Sequence, residues 1–364
     1  MESAELYRKF WEELSPAYPI SKGAFKLPIA TNLITIDETL HRELVAELKI
    51  ILEELLSKHG TKESAIKNAT AAGEERIIPL LSNDFTGVVR FDCVIDQNTN
   101  TPKILEINCD YPDGLILHDK TFGVLSGSTS TLHQDGLHSL LKESEDITIL
   151  HSPHASFVDG YHAEKEVLDS VFEKPVSIGH AIDYTEPKTI RRCLEVSKLT
   201  HDDCEALAVH DHTYLNTFAL RTLGYKDLLS SISHTHIPKT ILLTEANFAD
   251  FFEDKDRWVM KPVEGCEGNG ILFGKDLSQD EWENVVREQA ALHYIMQEFI
   301  TLSRYEVSLY ENGTISKREL YFDMCPYFFI KQGQVVGNGY TLMRFSEHPI
   351  VNVTKGGGIG YHTF

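Results

Sequence analysis

The clearest periodicity in the chain lies in DETLHRELVAELKIILEELLSKHG, where Leu40, Leu44, Leu48, Ile51, Leu52 and Leu55 recur at helical spacing between an Asp37 cap and a Gly60 stop. Positions three and four apart share one face of a helix, so this pattern predicts a long amphipathic one. A second helical stretch, Lys62 to Leu81, leads into a different pattern. VVRFDCVID is dominated by apolar and β-branched residues, and KILEINCDYPDG is a short apolar run ending in turn residues. The two read as a hairpin joined by QNTNTP, closing a first lobe, 1–145.

The pattern changes at ITILHSP, an apolar strand followed by a helical stretch around Tyr161 to Phe172, then PVSIGHAIDY and CEALAVHD. Strands alternating with helices predict a small parallel α/β sheet in a second lobe, 146–245. This lobe closes with a helix-rich run, TYLNTFALRTLGYKDLLSSI, and then HIPKTILLTEANFADFFED. In the third lobe, 246–364, Arg257 opens a series of strand (RWVMKPV), glycine-rich turn (EGCEGNG), strand (ILFG), helix (LSQDEWENVVREQAAL) and strand (HYIMQEFI), with further strands to the end. Gly356, Gly357 and Gly358 read as a loop shaped for close approach.

Alternation along strands turns the hairpin into candidate chemistry. Arg90 and Asp92 share one face, and Glu106 and Asn108 do the same on the neighbouring strand. Two carboxylates, a carboxamide oxygen and a guanidinium then converge, a hard-oxygen set for magnesium beside a cation suited to phosphate. The competing reading is a charged, solvated face on an edge hairpin. Lys261 ends a strand and is followed by Gly265, Gly268 and Gly270, glycines that let backbone amides approach phosphate oxygens. The segment is neither a Walker A loop nor GxGxxG, and a hairpin turn with an incidental lysine is its alternative. HYIMQEFI ends in Gln297, Glu298, Phe299 and Ile300, a strand end whose backbone suits an adenine edge, although an apolar strand with one acid is commonplace.

With 364 residues and 42% hydrophobic content, the chain has room for a sizeable core in two or three lobes. A formal charge of −21 without any long Lys/Arg cluster argues against nucleic-acid binding. No apolar run approaches membrane-spanning length and the N-terminus lacks a signal-peptide pattern, so a cytoplasmic protein with no membrane partner is the expectation. The six cysteines contain no CxxC pair, which points to reduced thiols. The 17 histidines include a group at His201, His210, His212, His234 and His236, yet no recognised metal-ligand spacing.

Taken together and in this order, the pieces resemble the ATP-grasp superfamily of carboxylate-amine ligases. The resemblance implies an ATP-grasp fold of α/β (α+β) lobes, circularly permuted, because the hairpin bearing Asp92, Glu106 and Asn108 precedes the Lys261 strand, glycine flap and hinge. Arg344 and the run Asn352 to Gly358 then match the arginine and glycine-rich loop that normally precede the long helix. Among permuted members the pattern is most similar to the synthetase part of glutathionylspermidine synthetase, with an R-x-D strand and an E-x-N strand. The middle lobe resembles the superfamily's α/β pre-ATP-grasp domain, and Lys226 matches its first ATP-contacting lysine.

What the resemblance implies is an ATP- and Mg2+-dependent ligase that joins a carboxylate to an amine through an acylphosphate. Asp92, Glu106 and Asn108 would hold magnesium. Lys226 and Lys261 would contact phosphates, Gly265, Gly268 and Gly270 would close over them, and Gln297 to Ile300 would meet adenine. Arg90 and Arg344 would steady the transferring phosphoryl group, with Asn352, Gly356 and Gly357 lining the acceptor side. Glu264 and Glu306 are further candidate ribose or phosphate neighbours, and Asp110, Asp159 and His162 candidate amine-orienting residues or simple turn formers. The substrates would be an amino acid, a peptide or a carrier-bound acceptor, and a homodimer is the commonest assembly for such enzymes. Phosphoryl transfer to a non-carboxylate acceptor and nucleotide binding without turnover are the open alternatives.

Overall fold

In the computed structural model the amphipathic segment forms helix α1 (Glu38–His59). The structure describes residues 5, 28–31, 34–112, 115–127, 131–144, 146–151, 165, 168–169, 176–179, 188–193, 196–265, 268–311, 314–351 and 358–363. Asp37 Oδ1 accepts the Leu40 amide at 2.8 Å, and the Gly60 amide closes the last turn onto Leu56 O. A Cβ at position 60 would lie 2.3 Å from Leu56 O, so sterics demand glycine there. Leu44, Leu48, Ile51, Leu52, Leu55 and Leu56 are buried, each contributing about 1.5–3 kcal/mol relative to exposure. The stretch expected to be one helix from Lys62 to Leu81 is split. Helix α2 (Lys62–Ala71) stops before Gly73, whose φ is +75°, and the chain resumes as a 3-10 turn at Glu75–Leu80.

The main sheet joins strands from both ends of the chain. Its members are β1 (Ile29–Ala30), β2 (Ile34–Thr35), β3 (Gly87–Asp96), β4 (Thr101–Asn108), β13 (Arg304–Glu311), β14 (Thr314–Lys331), β15 (Gln334–Ser346) and β16 (Gly358–Thr363). They lie in the order β13-β1-β16-β15-β14-β3-β4, with β2 paired to β16. The predicted hairpin is β3–β4, with Thr101 and Pro102 drawn from the expected loop into the strand. Its register pairs Arg90 with Asn108 and Asp92 with Glu106, while Tyr327 faces Arg90 and Asp323 faces Arg344 across the neighbouring pairs. Opposed residues share a face, so a row of polar groups crosses β4, β3, β14 and β15 on one side. On the other side Phe91, Cys93, Met324, Phe328, Met343 and Phe345 pack with the buried leucines of α1. Helices α3 (Leu115–Ser126) and α4 (Leu132–Leu141) flank the polar row, with Leu137 and Leu140 packed in one cluster with Val88, Tyr327 and Phe329.

A second sheet is wholly parallel, β6-β5-β7-β8, formed by β5 (Ile147–His151), β6 (Ser177–Gly179), β7 (Thr189–Cys193) and β8 (Thr213–Leu215). The parallel architecture agrees with the pattern, but two of its pieces differ. Residues 204–208 of CEALAVHD, expected among the strands, belong to helix α5 (His201–Ala208), started by a Thr200–Asp203 capping box. The strands that take that place are TIRRC and TYL. The first carries paired arginines and the second opens the run expected to be helix-rich, so neither presents an apolar run. The helical stretch around Tyr161 to Phe172 lies mostly outside the described residues.

The third sheet is antiparallel, β11-β10-β12-β9, built from β9 (Thr240–Leu242), β10 (Trp258–Pro262), β11 (Leu272–Phe273) and β12 (Tyr294–Glu298). Short helix α6 (Phe218–Arg221) leads toward it, and helix α7 (Gln279–Gln289) covers it. Trp282 of α7 is fully buried, and its indole donates to Phe251 O at 2.8 Å. Among the described residues no helix is long and apolar enough to cross a membrane, and Cys93, Cys109, Cys204 and Cys325 are free and buried.

A pH-sensitive seam joins α1 to β16. His41 Nε2 lies 2.7 Å from Thr341 Oγ1, and its ring stacks on His362 at 4.2 Å. Burial, reinforced by His362, lowers His41 to about 4, and burial lowers His362 too. Between pH 6.5 and 4 the unfolded chain therefore binds more protons than the folded one at these sites. Their contribution is complete above pH 6.5 and declines as pH falls towards 4. We expect the melting temperature of the protein to drop between pH 7 and pH 5, and His41→Gln to flatten that drop. An unaltered pH slope in the variant would rule out the seam as its source.

Candidate functional site

The polar row is an ion-pair relay in the centre of the main sheet. Arg90 Nε donates to Asp92 Oδ1 at 2.7 Å and its Nη2 to Oδ2 at 3.1 Å. Arg344 Nη2 donates to Asp92 Oδ2 at 2.8 Å, while Nε reaches both Asp323 oxygens at 3.1 Å and Nη2 also binds Asp323 Oδ2. Burial opposes ionisation of Asp92, but Arg344 and Arg90 outweigh it and hold the carboxyl well below its usual range. For Asp323 burial prevails and pushes the carboxyl up, with Arg344 opposing. Burial likewise disfavours the charge on Arg344, yet Asp323 and Asp92 hold the guanidinium above its ordinary value.

Beside this row lie two buried lysines, one of them within ion-pair distance of Glu106. Lys226 and Lys261 are each only 7% exposed. Lys226 Nζ lies 3.6 Å from Glu106 Oε2 and donates to Gly265 O at 2.9 Å. Lys261 Nζ donates to Gln297 Oε1 at 2.6 Å, and burial lowers its pKa to about 8, with Glu106 opposing and Lys226 adding to the fall. Two buried cations that feel each other are thus offset by one partly exposed carboxylate, a local positive charge that suits a polyanion. Gly268 and Gly270 have φ of +69° and +74°, a conformation that a side chain would strain. The root of the glycine turn is held in place, because the Lys226 amide also donates to Val263 O at 3.1 Å.

The strand end at Gln297 to Ile300 is partly committed inside the protein. The Glu298 amide donates to Lys239 O at 2.8 Å and the Phe299 amide to Arg257 O at 2.7 Å. Gln297 is buried, and its Nε2 reaches Thr240 Oγ1 at 3.2 Å and Leu105 O at 3.4 Å, tying the third sheet to β4. Ile300 packs with Val94 and Leu302. Phe299 lies against Phe273 of β11, with Lys275 4.2 Å from its ring centre.

Arg221 at the end of α6 draws in distant segments: it binds Glu264 at 2.8 Å and Glu74 at 3.1 Å, and lies 3.4 Å from Asp110 Oδ2. Tyr225 donates its hydroxyl to Glu74, and Arg192 clasps Asp110, whose Oδ2 also accepts the Val196 amide at 2.9 Å. Asp110 is therefore a structural clamp rather than an open amine-orienting group. Glu306 forms an exposed pair with Lys317 at 2.9 Å on the outer hairpin. Sequence reasoning missed Asp323, Arg221, Glu74 and Arg192. For Asp323 a signal was present, a single acid inside the apolar run LYFDMCPYFF. Gly114, Asp159, His162, Asn352, Gly356 and Gly357 lie outside the described residues.

The donors suit magnesium in kind. Among the described residues no cluster of three or more His, Cys, Asp or Glu forms a metal site, so any such set depends on the Asn108 amide oxygen beside Asp92 and Glu106. The histidines make local contacts instead, His234 with Glu47 at 3.0 Å and His236 with Pro102 O at 2.8 Å.

No protein-family model matches the chain. A stretch of 65 residues is 38% identical to the ATP-grasp enzyme ankG of Aspergillus thermomutatus. The match takes in 16% of this chain and spans only 14% of the length of that curated relative. Among solved structures, a glutathione synthetase-like effector from Globodera pallida matches over 100% of this chain and 98% of its own, with TM-score 0.54 and 11% identity. A putative gamma-glutamylcysteine synthetase from Methylobacillus flagellatus covers 83% of this chain and 82% of its own, with TM-score 0.46 and 11% identity. The first of these shows a shared fold, the mixed α/β architecture of a glutathione synthetase-like protein.

Proposed function

We propose that the protein is an ATP- and magnesium-dependent carboxylate-amine ligase that forms an amide or peptide bond through an acylphosphate. The observation that carries this reading is the pair of buried lysines, Lys226 bound to Glu106 and Lys261 electrostatically coupled to both, with Glu106 directly opposite Asp92 in the hairpin. Cations that desolvated are costly to keep in a protein without an anionic ligand. The short match to an ATP-grasp enzyme and the glutathione synthetase-like fold support the same reading.

In this reading Lys226 and Lys261 bind the phosphate chain, and the turn through Gly265, Gly268 and Gly270 closes over it to exclude water. The base occupies the strand end at Gln297 to Ile300, where the satisfied Glu298 and Phe299 amides leave recognition to carbonyls and to the Phe273–Phe299 surface. Asp92, Glu106 and Asn108 would hold magnesium, which when bound offsets phosphate charge. A substrate carboxylate oxygen attacks the γ-phosphorus, ADP departs, and the amine then attacks the acyl carbon, expelling phosphate as it loses a proton. Arg90 and Arg344 counter the negative charge of the transferring group, and the loop of Asn352, Gly356 and Gly357 belongs to the acceptor side. The chain order then corresponds to a circularly permuted ATP-grasp fold, with 1–145 and 246–364 sharing the core and 146–245 serving as the pre-ATP-grasp domain. An amino acid, peptide or carrier-bound acid fits this chemistry.

The deciding experiment is magnesium-dependent ADP release with pools of amino acids and small carboxylates, run with hydroxylamine. A hydroxamate from one pool supports carboxylate activation, whereas ADP without hydroxamate favours a phosphotransferase. Lys261→Met should weaken ATP binding by about ten- to a hundredfold, the worth of a charge-assisted hydrogen bond. Calorimetric titration giving wild-type affinity would remove Lys261 from the nucleotide site.

A further inference from the structure

Asp323 is a buried carboxylate outside the proposed ligand set, yet it is the main partner of Arg344. It is 4% exposed, lies directly opposite Arg344 in the β14–β15 register, and accepts from both Nε and Nη2. Arg344 in turn spends a single nitrogen on Asp92, at 2.8 Å, and Arg90 spends two. The relay thus contains two guanidinium groups and two carboxylates within one buried row. Without Asp323 the same row would carry an excess positive charge beside Glu106 and Asn108. Arg344 would also be left to Asp92 alone, closing further on its oxygens. Both changes oppose a divalent cation.

We propose that Asp323 is a positioning residue for divalent-cation binding: by matching Arg344, it leaves Asp92 able to join Glu106 and Asn108 around the ion. The proposal rests on reading those three residues as the magnesium site. It makes a prediction of opposite signs. Removing the Asp323 charge weakens cation binding but leaves metal-free nucleotide binding unchanged or tighter, since the nucleotide is an anion. Loss of packing would weaken both.

The test is manganese binding to the whole protein with ADP, followed by the electron paramagnetic resonance of free Mn2+, beside calorimetric binding of ATP in EDTA. Asp323→Asn should weaken manganese about tenfold or more, as expected for one charge removed at short range in a partly desolvated site, with ATP binding in EDTA no weaker than wild type. Asp323→Asn/Arg344→Gln restores the charge balance and should recover most of the manganese affinity. Should Asp323→Asn fail to fold, this balanced double variant carries the test, and loss of manganese binding in it overturns the proposal. Wild-type manganese affinity in Asp323→Asn, or equal weakening of manganese and metal-free ATP, also overturns it while leaving the ligase reading standing. Absence of manganese binding in the wild-type protein with nucleotide would instead bring down the magnesium-site reading itself, and this proposal with it.

Discussion

Glu106→Gln is expected to reduce turnover by at least about a hundredfold, the scale seen when one preorganised charge-stabilising group is removed, while leaving the fold in place. The carboxylate is 32% exposed and pairs with Lys226 at 3.6 Å, too long and too wet a contact to hold the lobe together. Its chemical position is another matter. It faces Asp92 across the hairpin and opposes the fall in the Lys261 pKa, so the neutral amide removes a hard anionic donor and the counterion of two lysines together. The variant should therefore keep its fold with a modest fall in melting temperature, from two buried lysines deprived of a counterion, and with metal-free ATP binding undiminished because a negative charge beside the phosphates is gone. Turnover close to wild type in a steady-state ADP assay would overturn Glu106 as part of the site.

The second large effect concerns stability. Arg221→Met should lower the free energy of unfolding by about 3–5 kcal/mol, the usual cost of removing one partner from a buried ion-pair network. Arg221 is 5% exposed and Glu74 is 3% exposed, and the guanidinium stacks 5.0 Å from the Tyr225 ring centre. Methionine keeps the packing volume but takes the shared cation from Glu74, Asp110 and Glu264, leaving Asp110 to Arg192 and Glu74 to Arg76 and Tyr225. Adding Glu74→Gln should recover part of the loss, giving a non-additive double-mutant cycle in urea denaturation. A loss below about 1 kcal/mol in Arg221→Met would mean that the junction is held by its apolar contacts instead.

Short-range features were legible in the chain. Helix α1 announced itself through leucine spacing, Asp37 and Gly60, and the hairpin through alternation that sets Arg90 with Asp92 and Glu106 with Asn108 on shared faces. The pairing of Asp92 with Glu106 came with the observed register, in which Thr101 and Pro102 leave the expected loop for the strand. Partners far apart in sequence were hidden, because a pattern says which face a residue takes and not what meets it there. Asp323 finds Arg344 through strand pairing, and Arg221 draws Glu74, Asp110 and Glu264 from separate segments. Strand β7 was missed for a related reason. Arg191 and Arg192 sit fully buried within it, and two arginines in five residues read as surface.

The main sheet also has a bearing on how the protein is made. Strand β3 meets β4 through a local turn, but its other neighbour, β14, arrives late in synthesis, and the Asp92–Arg344 contact spans 252 positions. While a ribosome is still adding the middle of the chain, the hairpin holds an unpaired β3 edge bearing Val88, Val89 and Phe91. An exposed apolar edge of this kind invites pairing with other chains, and its proper partner must close a very long loop to reach it. Nascent chains should therefore need protection from a holding chaperone until Arg344 has emerged, and yield on expression should track that interval rather than the stability of the finished fold.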